Sequence, residues 1–94
     1  MEDDILHQSV EKLHALFDRT DIEVEWKKIQ EKVEESLYNP GDLRPLADII
    51  FSVLLAARSR GYDVDAVMKE LHRVAENNMK RRWKKMENGT YRAI

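Results

Sequence analysis

The stretch from Leu43 to Gly61, LRPLADIIFSVLLAARSRG, has the length of a helix and is apolar on nearly every side, with one carboxylate, Asp48, among its bulky residues. A helix that is hydrophobic all round belongs at the centre of its domain. An ionised aspartate in such a place is costly unless it is paired or holds a metal. The segment therefore predicts a central helix whose Asp48 has a partner. Two solutions stand side by side: a cation-binding role for Asp48, or a buried bond to Arg44 or Ser52.

The flanking sequence supplies further helices. Leu6, Val10, Leu13 and Phe17 fall at three- and four-residue spacing and predict an amphipathic helix over about 4–17. Residues 18–21 break that pattern, and Asp21 is a candidate cap for a second helix running to about Tyr38, with Trp26, Ile29, Val33 and Leu37 as its buried face. Asn39-Pro40-Gly41-Asp42 is a turn; Asp42 can cap the third helix and Pro45 is tolerated in its first turn. Gly61 suits the left-handed residue after that helix. Asp63 can cap a fourth, with Val64, Val67, Met68, Leu71 and Val74 on its apolar side, reaching about Lys84 before Asn88-Gly89 ends or turns the tail. Four helices on short loops predict an all-α, antiparallel four-helix bundle forming a single domain over 1–94.

A chain of 94 residues buries little interior volume, so packing against further copies is expected, as a homodimer or homotetramer. There is no cysteine for a disulfide or thiolate site, which favours the cytoplasm. The longest apolar run is too short for a bilayer and MEDDIL lacks the basic start of a secretory signal, so a soluble, unprocessed protein with no membrane partner is expected. Charge is polarised: residues 1–47 hold 12 acidic against 6 basic side chains, residues 48–94 hold 6 against 10. That distribution suits a metal–nucleotide ligand, although solvated helix faces produce the same count.

Glu31, Glu34 and Glu35 lie three and four residues apart and can bring carboxylates to one side of the second helix, as a hard divalent cation requires. Glu31 and Glu35 lie nearly opposite the Trp26/Ile29/Val33 stripe, however, and periodicity alone favours ordinary surface pairing with Lys27, Lys28 and Lys32. Lys80, Arg81, Arg82, Lys84 and Lys85 surround Trp83, with Asn77 and Asn78 a turn earlier. Their spread round a helix fits contacts to a single nucleotide or plain solubility better than a nucleic-acid track. His7, His14 and His72 form no zinc spacing and read as partly buried structural residues. No nucleophilic triad or glycine-rich phosphate loop can be assembled.

The segments EKVEE, PLADII, AARSRGY and NMKRRW, in that order and around the turn NPGD, resemble the MazG-like all-α nucleoside triphosphate pyrophosphohydrolases, nearest to the phage-associated dATP/dGTP branch. The resemblance covers about 26–94. It implies a MazG-like bundle completed by oligomerisation and hydrolysis of a nucleoside triphosphate, with a possible preference for purine deoxynucleotides, to monophosphate and pyrophosphate. It also implies Mg2+ or Mn2+ held by Glu31, Glu35 and Asp48 as metal-binding and catalytic residues. Asn78, Arg81 and Trp83 match the family's late substrate-binding run. Two positions depart: Lys32 stands where the family has the first glutamate of its ExxE pattern, and Pro45 where it has the glutamate of ExxD. Glu34, one position round the helix, is the available substitute ligand, and the Lys32 ammonium can fill the space of a second cation. The alternative is a catalytically silent MazG-like protein that binds a nucleotide or a partner protein.

Overall fold

The computed structural model describes residues 5–17 and 22–94, the latter without the side chain of Ile22. The expected cap Asp21, the first residue of the expected first helix and the break over 18–21 lie outside the described residues. The elements are α1 (Ile5–Leu16), α2 (Ile22–Tyr38), α3 (Arg44–Ser59), α4 (Val64–Lys80), β1 (Trp83–Lys85) and β2 (Tyr91–Ala93). The chain is mostly helical, as expected. No helix among the described residues is long and apolar enough to cross a membrane.

Helix boundaries follow local chemistry. The Asp42 carboxylate accepts the Arg44 N–H at 3.0 Å, which covers one open donor at the start of α3, although the cap position itself falls on Leu43. At the other end Gly61 takes φ +94°, and the Gly61 and Tyr62 N–H groups close back onto the Arg58 and Ala57 carbonyls. Asp63 caps α4, its carboxylate accepting the Ala66 N–H at 2.9 Å.

α3 is the hub, packed most extensively against α2 and also against α1 and α4. The core is Val10, Leu54, Leu55 and Val64, with Leu6, Leu13, Phe51, Val67 and Met68 packed round it. Only one side of α3 is covered: Leu46 and Ile50 are 47% and 60% exposed, so the expected all-round burial is absent from a single chain.

Two further expectations are corrected. On α2, Ile29 is half-buried, but Trp26, Val33 and Leu37 are exposed. The side covered by α3 carries Glu25, Ile29, Lys32 and Ser36, at i, i+4, i+7 and i+11, about a quarter turn away from the apolar stripe. Glu25 is buried, with Lys28 3.6 Å from one carboxylate oxygen and no hydrogen-bond partner on the other.

The fourth helix ends at Lys80, not near Lys84. Arg81 is already extended, and β1 and β2 form an antiparallel hairpin with Trp83 opposite Ala93 and Lys85 opposite Tyr91. The turn has Gly89 at φ +90° donating to the Met86 carbonyl, while Asn88 Oδ1 accepts from both the N–H and the hydroxyl of Thr90. Asn-Gly chemistry and cross-strand hydrogen bonds take these residues out of the helix. From Lys69 onward every residue is exposed, so α4 is anchored through Val64, Val67 and Met68 at its start.

Candidate functional site

Asp48 lies near the start of α3 on its α2 side. Its side chain is 42% exposed, and its partner is Lys32 of α2, Nζ to Oδ2 3.6 Å, rather than Arg44 or Ser52. The same ammonium donates to Glu35 Oε2 at 3.2 Å. α2 and α3 are antiparallel neighbours across the 39–43 turn, so position 32 comes opposite position 48 and its side chain bridges the helices. Lys32 holds its proton more tightly than a free lysine, chiefly through the Glu35 hydrogen bond and charge, with Asp48 adding a smaller share.

Glu31 and Glu34 are exposed and pair with no cation among the described residues. Pro45 is buried in the first turn of α3, a position where a glutamate would meet the protein interior. Beside Asp48 a cleft is lined by Leu6, Ala47, Ile50, Phe51 and Leu54, so the carboxylate is its one charged group among the described residues.

A divalent cation needs several oxygens about 2.0–2.6 Å from one point. The four acids Glu31, Glu34, Glu35 and Asp48 do not gather three ligand atoms within 4.8 Å of one another, and the Lys32 ammonium is shared by Glu35 and Asp48. This arrangement does not fit Mg2+ or Mn2+.

The residues expected to hold substrate are also apart from the carboxylates. Asn78 lies late in α4, Arg81 is the residue that ends it, and Trp83 opens β1; all three are exposed. Trp83 Nε1 donates to the Asn78 backbone carbonyl at 3.1 Å, which folds the indole back against α4 and leaves the Asn78 amide side chain out of that bond. No ion pair or cleft among the described residues joins Asn78, Arg81 or Trp83 to Asp48.

A second cluster had no signature in the sequence. His7 of α1 meets Asp63 and Asp65 at the start of α4, with ligand atoms of all three within 4.8 Å. The residues are 56 and 58 positions apart, so no spacing rule finds them. His7 and His14 are half-buried as expected; His72 is exposed.

Comparison of the chain with protein-family models, with curated proteins and with solved structures gave no match.

Proposed function

We propose that this chain is a catalytically silent MazG-like protein, which keeps a helical frame similar to the pyrophosphohydrolases and uses it to bind a protein partner, a second copy of itself first of all. The observation that carries this reading is the Lys32 ammonium, 3.2 Å from Glu35 and 3.6 Å from Asp48. A lysine there neutralises the carboxylates as a cation would. It has no Lewis acidity, so it neither lowers the pKa of a bound water nor bridges phosphoryl oxygens. Pro45 removes a further acid, and a patch in which carboxylates outnumber the ammonium repels a free polyphosphate. Exposed Trp26, Leu37 and Ile50 supply the contact surface that a protein partner requires.

The second reading is a Mg2+- or Mn2+-dependent (d)NTP pyrophosphohydrolase, with Glu31 and Glu34 recruited beside Asp48. Its support is that both glutamates are exposed and without a cationic partner among the described residues.

One assay separates the two. The protein is incubated with each common NTP and dNTP and either metal, and the mixture is resolved chromatographically for monophosphate and pyrophosphate. The silent protein gives no product, and Lys32→Glu, verified as folded by circular dichroism, binds Mg2+ at least about 10-fold more tightly than the parent chain. Turnover by the parent chain that disappears in Asp48→Asn replaces the silent reading with the enzymatic one.

A further inference from the structure

A different side of the molecule carries its own chemistry. His7 Nε2 stands 3.7 Å from Asp65 Oδ2, and the ligand atoms of His7, Asp63 and Asp65 all lie within 4.8 Å of one another. Two aspartates in the first turn of a helix are an ordinary capping arrangement. The imidazole comes from a different helix, α1, and it changes what the group selects. One nitrogen and two carboxylates suit a borderline divalent ion such as Zn2+ or Co2+, whereas an all-oxygen set suits Mg2+ or Ca2+.

The distances permit such an ion. Ligands about 2.0–2.2 Å from a tetrahedral centre are themselves about 3.3–3.6 Å apart. The His7–Asp65 separation of 3.7 Å is already close to that edge. Asp63 spends Oδ1 on the Ala66 N–H, which leaves its second oxygen for a metal. Asp63 and Asp65 are exposed, so small rotations of their carboxylates close the widest spacing, and water has access to the remaining coordination position.

We infer that His7, Asp63 and Asp65 form a structural binding site for a transition-metal dication of the Zn2+ class, which clasps α1 to the start of α4. The direct contact between these two helices is slight, and α4 is covered only near its beginning. A metal shared between them stabilises the folded chain by binding it in preference to the unfolded one, where the ligands are scattered.

The test is Zn2+ titration followed by calorimetry and thermal melting, on the parent chain and on His7→Gln, Asp65→Asn and Asp48→Asn. Asp63 is left intact because its substitution also removes the cap of α4. Saturating Zn2+ raises the Tm of the parent chain and of Asp48→Asn by about 5 °C or more. Both His7→Gln and Asp65→Asn bind at least about 10-fold more weakly and lose that rise. Asp65 is 74% exposed, so its variant keeps the fold and provides the control for any packing defect at His7. An unchanged Tm overturns the inference. So does Zn2+ affinity in the His7 and Asp65 variants equal to that of the parent chain, which would place the ion elsewhere, or loss of binding in Asp48→Asn, which would place it at the α2–α3 acids.

Discussion

Asp48 is the one carboxylate among the bulky apolar residues of α3. Its place among apolar neighbours demanded a partner, and Lys32 is that partner. The sequence pointed to the nearer residues Arg44 and Ser52, because reaching Lys32 depends on how α2 is rotated against α3. Glu11 is a second case. It accepts from Arg58 Nε at 2.8 Å, joining α1 to α3, and this bond holds the Glu11 carboxyl below its usual value near 4.5. A carboxylate whose folded pKa lies below its unfolded one stabilises the fold above the unfolded value and loses that contribution as pH falls through the folded one. Glu11→Gln should therefore lower Tm at pH 7, with the difference from the parent chain shrinking as pH falls below 4.5 and lost once the folded carboxyl is protonated. A difference that persists at low pH would mean that the amide fails for steric reasons.

At the scale of elements, the sequence was most legible where backbone chemistry is local. Gly61 at positive φ and Asp63 as a cap mark the α3–α4 junction, and both signals act within a few residues. Hydrophobic periodicity found α2 but not its orientation. Trp26, Val33 and Leu37 form a genuine stripe, yet α3 covers the adjoining side with Glu25 and Lys32, because one chain brings only one helix to α2. The end of α4 is not legible locally, since KRRWKK has ordinary helix propensity and the preference for strand comes from pairing with 91–93. The central place of α3 is open to direct test. Leu54 is 2% exposed in the core, so Leu54→Ala should cost about 2–5 kcal/mol in denaturant unfolding. A loss well under 1 kcal/mol would remove α3 from the centre of the fold.

Over the whole molecule, apolar surface and core are out of proportion. Val10, Leu54, Leu55 and Val64 make up the buried cluster, while the α2 stripe of Trp26, Val33 and Leu37 and the α3 residues Leu46, Ile50 and Val53 remain at least partly open to water. Because α2 and α3 run antiparallel, helical geometry turns the two stripes toward the same side of their hairpin, away from Lys32 and Asp48. A contiguous apolar face of this kind is what two copies of a small helical domain need in order to complete a core that neither has alone. The proposed self-association predicts a dimer or tetramer in sedimentation-velocity measurements. Val33→Lys together with Leu37→Lys places two ammonium groups in that face and should weaken association at least about 10-fold, equivalent to ~1.4 kcal/mol or more. Both positions are open in the single chain, at 44% and 74% exposure, so helicity should be retained when association is lost. A parent chain that sediments as a monomer throughout the micromolar range would assign the face to a different protein, and an oligomer indifferent to both lysines would assign association to another surface.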